Sequence, residues 1–179
     1  MNDGLVPNRY AKALYKHAVE SGELEQVYGE MKRLESSYAE NAKLKAVANN
    51  PFIDFDVKSK LLLTAAGARP GGALERFVAL LDSKNRMPML RPIALSFMKL
   101  YREERGIAKV TITTAVEFSR AELDRLVDLV KQRLNGKELE LTVQVDPEII
   151  GGFIIDVDSQ VLDASTKNDL NKLRLKLLS

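Results

Sequence analysis

Hydrophobic positions recur at spacings of three and four along the first hundred residues, and then give way to alternation. From Asn8 to Glu20, Tyr10, Ala11, Leu14, Tyr15, Ala18 and Val19 share one side of a helical wheel, with Arg9, Lys12, Lys16, His17 and Glu20 opposite. This apolar arc spans about half the circumference, wider than the roughly 100° that seats a surface helix on a core. Such a helix is expected either to lie among several neighbours or to offer part of its arc to another chain. Ser21-Gly22 breaks the pattern, and Glu23 to Asn41 resumes it with Leu24, Val27, Met31, Leu34 and Tyr38, predicting a helical hairpin. A short helix through Leu44 and Val47 ends at Asn49-Asn50-Pro51, and Asp54 or Asp56 is placed to cap a helix carrying Val57, Leu61, Leu62 and Leu63. Gly67 to Gly72 is a loop short enough to lie within a bundle. Ala73 to Lys84 shows a second wide arc of Ala73, Leu74, Phe77, Val78, Leu80 and Leu81. A last helix runs through Leu90, Ile93, Phe97, Leu100 and Tyr101 to Gly106, with Pro92 tolerable only in its first turn.

At Gly106 the period becomes two. Val110, Ile112, Thr114 and Val116 alternate with Thr111, Thr113 and Ala115, a β-branched run that predicts a strand. Ser119 and Glu122 are spaced as a capping box, followed by Leu123, Leu126, Val127, Val130 and Leu134 at helical spacing and a stop at Asn135-Gly136. Leu139, Leu141, Val143 and Val145 alternate with polar residues in the next strand, and strand, helix, strand with short joins implies a right-handed crossover. Asp146-Pro147 ends that strand, since proline has no N–H to give a ladder. Gly151-Gly152 frees the backbone ahead of Phe153 to Val157, apolar at first on both faces. Asp158-Ser159 then turns the chain into Gln160-Val161-Leu162, and Ser165 caps a final helix with Leu170, Leu173 and Leu177. The expected fold is α+β: an N-terminal six-helix bundle over residues 1–105, then a small α/β domain with a mixed sheet over 106–179.

Composition narrows the function by exclusion. The 179 residues are 45% hydrophobic, ordinary for a globular chain, and 27 Lys+Arg against 25 Asp+Glu give a net charge of +2. No global field points to nucleic acid or anionic lipid. The absence of cysteine excludes disulfides and thiolate chemistry. No window reaches a membrane span, and the opening residues have neither a secretory apolar region nor transit character, which predicts a soluble chain of bacterial type. His17, the single histidine, falls on the charged side of the first helix and reads as solvated. Asp156 and Asp158 share a strand face without a third ligand at a diagnostic spacing. Gly151-Gly152 lacks the spacing of a phosphate loop. Lys167, Lys172, Arg174 and Lys176 lack the interleaved aromatics of a single-strand binder and read as a solvated face, with an acidic partner helix as the sharper alternative. No catalytic, cofactor or metal site is expected.

Ile149-Ile150-Gly151-Gly152-Phe153, followed by Asp158, by Val161-Leu162-Asp163-Ala164-Ser165 and by Leu170, resembles the C-terminal signature of the delta subunit of F-type ATP synthases, equivalent to the mitochondrial oligomycin-sensitivity-conferring protein. Arg9 to Leu14, Asn50-Pro51 with Lys58, Phe77 to Leu81 with Arg86, and Gly106 to Ala115 leading into Phe118-Ser119 agree in order, so the likeness covers nearly the whole chain. It departs at Ala164, where the family usually has glycine, and at Thr166-Lys167, usually an apolar-basic pair; both affect only the turn after Asp163.

The resemblance implies a non-catalytic stator subunit. Its N-terminal domain would bind N-terminal segments of the alpha subunits on the catalytic head, and its C-terminal domain a b-type peripheral stalk subunit. One copy per complex, monomeric when isolated, would sit peripherally at the cytoplasmic face of a bacterial plasma membrane. Tyr10, Ala11, Leu14, Ala18, Ala73, Phe77 and Leu81 are then the candidate residues for an alpha-subunit helix. Gly151, Gly152, Asp163 and Ser165 form the structural signature. The rival from another class is an RNA- or ribosome-associated two-domain factor, whose expected basic face is missing; a hydrolase or nucleotide-binding enzyme ranks behind it for want of a motif.

Overall fold

The structure, a computed structural model, describes residues 4–50, 52–134, 137–158 and 160–178. Three turns expected from the sequence, at Asn50-Pro51, Asn135-Gly136 and Asp158-Ser159, each include a residue outside these. The chain falls into two compact units that divide between Tyr101 and Arg102. Helices α1 (Leu5–Glu20), α2 (Leu24–Glu40), α3 (Ala42–Asn49), α4 (Phe55–Ala66), α5 (Ala73–Ser83) and α6 (Leu90–Arg105) precede the first strand, with a 3-10 turn at Met87–Met89. That turn is an element the periodicity does not announce.

Helix α1 begins at Leu5, three residues ahead of the expected Asn8. Pro7 sits in the first turn, where its missing N–H has no intrahelical acceptor to lose, and is buried with Ala11, Leu14 and Ala18. Pro92 occupies the same turn of α6, as its sequence position requires.

Helix α2 is the frame of the first unit. Its apolar stripe of Leu24, Val27, Met31, Leu34 and Tyr38 is buried, and a polar row beside that stripe reaches the end of α4. The last four carbonyls of α4 have no partner within their helix. Two are met by the chain turning back at Gly67, which takes φ 58°: Gly67 N donates to Thr64 O at 3.0 Å and Ala68 N to Leu63 O at 2.8 Å. The other two are met from α2, with Arg33 Nε donating to Ala66 O at 2.8 Å and Ser37 Oγ to Ala65 O at 3.0 Å. Glu30, 1% exposed, accepts at Oε1 from Arg69 N at 3.0 Å and from Gln26 Nε2 at 2.8 Å, while its Oε2 is buried without a hydrogen-bond partner.

Helix α6 is joined to α2 by paired contacts. Arg91 grips Glu35 through two nitrogens, the shorter contact 2.7 Å, and its guanidinium carbon lies 5.9 Å from the Tyr38 ring centre. Burial pushes the Tyr38 hydroxyl up to about 12, with Arg91 opposing the shift and Glu35 adding to it. Tyr28 and Tyr101 stack at 3.9 Å, and the Tyr101 hydroxyl donates to Glu25.

The second unit contains β1 (Ile107–Thr114), α7 (Arg120–Arg133), β2 (Glu138–Val145), a 3-10 turn (Pro147–Ile149), β3 (Gly152–Val157), β4 (Gln160–Ser165) and α8 (Thr166–Leu178). The sheet runs β2-β1-β3-β4, with β1 parallel to β2 and antiparallel to β3, and β3 antiparallel to β4. It is the mixed sheet of an α+β fold. Cross-strand partners Leu141, Val110 and Val157, then Val143, Ile112 and Ile155, share one face, and α7 packs on it through Leu126 and Val130. The Ser119–Glu122 capping box forms as expected. Strand β1 starts at Ile107 and stops at Thr114, short of Val116. The buried Thr114 hydroxyl donates to Val116 O at 2.7 Å, closing the strand end on itself.

Because buried Glu30 accepts from both the Arg69 backbone N–H and the Gln26 amide and so pins the loop after α4, Glu30→Ala should lower unfolding free energy by about 1–3 kcal/mol. A urea titration followed by far-ultraviolet dichroism reads this directly, and Glu20→Ala on the exposed side of α1 serves as the near-neutral control.

Candidate docking surfaces

Helices α1 and α5 meet through an edge-on aromatic pair, Tyr10 and Phe77, with ring centres 6.4 Å apart. The Arg9 guanidinium carbon lies 5.9 Å from the Tyr10 ring centre. Along the same junction a shallow groove of about 200 Å³ is lined by Ala13, Leu14, His17, Ala73, Arg76, Phe77 and Leu80. Of the candidate residues, Leu14, Ala73 and Phe77 line this groove, and Tyr10 sits half-buried beside Phe77. Ala11, Ala18 and Leu81 are fully buried in the interior. Leu14 and Ala73 also have almost no exposed surface, so they form the floor.

The exposed rim comes from residues outside the candidate set: Ala13, His17, Arg76 and Leu80. Arg76 is held toward α2 by Glu23 at 3.1 Å. Leu80 follows Phe77 by three positions and Ala13 precedes His17 by four, so each pair shares a helix side. Leu80 already belongs to the wide arc of α5, and a small residue at the edge of the α1 arc is the signal for Ala13.

In the second unit the four signature residues hold one corner. Gly152 takes φ +74°, and a Cβ there would collide with the carbonyl oxygen of Ala164 across the β3–β4 ladder. Only glycine fits on both counts. Gly151 is different, because an added Cβ would meet only the Thr166 hydroxyl, the end of a rotatable side chain. Ile150 lies at φ +70°, ψ −41°, a strained region for a β-branched residue. Asp163 Oδ1 accepts from Ser165 N at 2.9 Å, and Ser165 Oγ accepts from Asn168 N at 3.2 Å, so Ser165 caps α8 as read from the sequence. The Ser165 hydrogen bonds hold the Asp163 carboxyl below the usual aspartate range, with Lys172 adding to the shift.

Beyond that corner the second unit leaves apolar surface uncovered. Leu141, Val143 and Val145 of edge strand β2 are each more than a third exposed, and α8 has no buried residue. Among the described residues no group of His, Cys, Asp or Glu is placed to hold a metal ion, and no helix is long and apolar enough to cross a membrane.

Two predictions follow from the corner. Gly152→Ala should cost at least about 2 kcal/mol, from the left-handed backbone and the collision, and Gly151→Ala clearly less; chemical denaturation of the pair separates them. A depressed carboxyl stabilises the fold above its unfolded value and loses that contribution as pH falls through the folded value. Asp163→Asn should therefore remove stability at neutral pH and flatten the decline seen below the ordinary aspartate value of 3.8, measured by thermal melts across acid pH.

The family model described as "ATP synthase delta (OSCP) subunit" matches residues 6–177. Proteins called "ATP synthase subunit delta" from Parabacteroides distasonis, 33% identical over 99% of this chain and 98% of theirs, and from Prochlorococcus marinus strain AS9601, 30% identical over 96% of both, are among its relatives. A similar fold occurs in a chain of the Toxoplasma gondii mitochondrial ATP synthase hexamer solved by cryo-EM, with a TM-score of 0.74, 23% identity and 97% of each chain covered. With its described length matched almost end to end, the chain belongs to the ATP synthase delta (OSCP) subunit family.

Proposed function

We propose that this chain, as a stator component of an F-type ATP synthase, holds the catalytic head through residues 1–105 and the peripheral stalk through residues 106–179. The role is mechanical and not catalytic. When a rotor turns inside the catalytic hexamer, the hexamer feels an equal and opposite torque. Without a static tie the head would rotate with the rotor, and proton flow would no longer drive synthesis.

The observation that carries the N-terminal half of the proposal is the groove between α1 and α5. Its floor of Leu14, Ala73 and Phe77 is small or apolar, and its rim offers Ala13 and Leu80 to a ligand. An amphipathic alpha-subunit N-terminal helix would lay its apolar side there, with Tyr10 and Phe77 as aromatic anchors. In this reading the six helices work as one bundle that presents the groove. The exposed leucines of α8 and the uncovered edge of β2 are the matching candidates for the b-type stalk contact. One copy would serve each complex, peripherally at the cytoplasmic face of a bacterial plasma membrane. The RNA-associated alternative has no support from the family or from the geometry.

Titration with a peptide of the alpha-subunit N-terminus should shift backbone amides of α1 and α5, and shifts confined to residues after Lys109 would overturn the assignment. Leu80→Glu, on the exposed rim, should weaken peptide binding about tenfold or more while changing stability by no more than about 0.5 kcal/mol. Leu14→Asp should instead destabilise the unit by more than about 3 kcal/mol, because it buries a charge in the floor. Calorimetry on both variants separates loss of contact from loss of fold.

A further inference from the structure

Helix α8 is a thirteen-residue helix without a buried residue. Leu170, Leu173 and Leu177 lie at helical spacing along one side, and with Leu175 and Leu178 they are 51–86% exposed. Its anchors fall at its start. Thr166 N donates to Gly151 O at 3.0 Å, Asn168 N to Ser165 Oγ at 3.2 Å, and Asn168 Nδ2 to Asp163 O at 3.2 Å. Isolated helices of this length are marginal in water, and proteins usually make up the deficit by burying an apolar side. Here every leucine stays at least half exposed.

The charges beside the leucines are mostly positive. Lys167 and Arg174, seven residues apart, run along one flank of the stripe; on the other, Lys176 stands near Asp169, the single acidic residue of the helix, which pairs with Lys172 farther round at 3.5 Å. Lys167 approaches Glu148 at 3.7 Å with both side chains well exposed, a contact of little energetic weight. A basic helix with exposed leucines also fits an anionic bilayer. Leu175, however, lies nearly opposite the Leu170–Leu173–Leu177 stripe, so α8 lacks the single apolar face that lies flat in a membrane interface.

Resting on the assignment of residues 106–179 to the stalk, we infer that α8 docks an amphipathic helix whose apolar stripe is flanked by carboxylates, and that docking is what fixes α8 beyond its first turn. The leucines supply the burial, and the lysines and arginine select an acidic partner and reject a basic one.

The test uses the full chain and three probes: a soluble fragment of the b-type stalk subunit, a synthetic leucine-striped helix with glutamate flanks, and its lysine-flanked twin. The stalk fragment and the glutamate peptide should bind, and the lysine peptide at least about tenfold more weakly. Lys167→Glu with Arg174→Glu should weaken the stalk fragment about five- to tenfold, and raising salt should shrink the difference. Hydrogen exchange should show α8 amides beyond Asn168 exchanging fast in the free chain and protected in the complex.

Binding of the stalk fragment unchanged by the double reversal overturns the charge selection and leaves the stalk assignment standing. Protection of α8 in the free chain equal to that of β1 overturns the ordering on docking. Equal binding of the two synthetic peptides, or association with phosphatidylglycerol vesicles in place of the glutamate peptide, overturns the acidic-helix occupant. Protection by the stalk fragment confined to residues before Tyr101 overturns the stalk assignment itself.

Discussion

A helix ends with four carbonyls that its own backbone cannot satisfy, and the N-terminal unit depends on how α4 disposes of its four. Gly67 bends the chain so that two are met locally, and Arg33 and Ser37 of α2 reach across to the others. Each bond is worth only about 1 kcal/mol net, but an unmet buried carbonyl costs more than a made one contributes. The same side of α2 then holds the outgoing loop through Glu30 and the Arg69 N–H. With α4 ended and the loop pinned, α5 starts at Ala73 and its Phe77 ring meets Tyr10 edge-on. The groove beside that pair is thus a consequence of how α2 terminates α4.

In the second unit the corresponding constraint is the place of β1 at the centre of the sheet. It pairs in parallel with β2 and antiparallel with β3, so its alternate residues Ala108, Val110 and Ile112 are enclosed from both sides and by α7. One helix of fourteen residues covers the middle of that face and leaves the outer strand β2 half-bare. The chain then needs to come back beside β1, and Gly152 makes the close pass by Ala164 that β3 and β4 require. Nothing is left for α8 to pack its leucines into.

Local rules were readable from the residues, and long-range ones were not. Ser119 and Glu122 announced the start of α7 because both partners of the capping box lie three residues apart in sequence. Ser165 and Pro92 were placed for the same reason: a cap and a first-turn proline are short-range requirements. Val116 was assigned to β1 because it keeps the parity of Val110 and Ile112, yet parity does not say where pairing stops; the Thr114 hydroxyl decides that. Arg33, Ser37 and Glu30 gave no signal, since their backbone partners beyond α2 lie 28 to 39 residues away. The wheel found α1 and α5 as broad apolar helices but could not divide each arc between neighbour and open surface. Ala11, Ala18 and Leu81 consequently stood beside Leu14 and Phe77 as candidates, while the rim residues Ala13 and Leu80 were passed over.

The two candidate surfaces differ in a way that bears on a tie under load. The α1–α5 groove is made of residues the first unit already needs for its own core, so its shape exists before any partner arrives and little ordering is required on binding. That arrangement also makes its floor resistant to change, since altering Leu14 or Ala73 disturbs the fold first. Helix α8 has the opposite character: its leucines contribute little to the free unit, and whatever they gain on docking is offset in part by ordering the helix. A preformed groove resists distortion, and a helix fixed by its partner becomes continuous with that partner's structure. For a static tie that used these two surfaces as proposed, both properties would serve the same end, because slack at either junction would let the head turn before the restraint took hold.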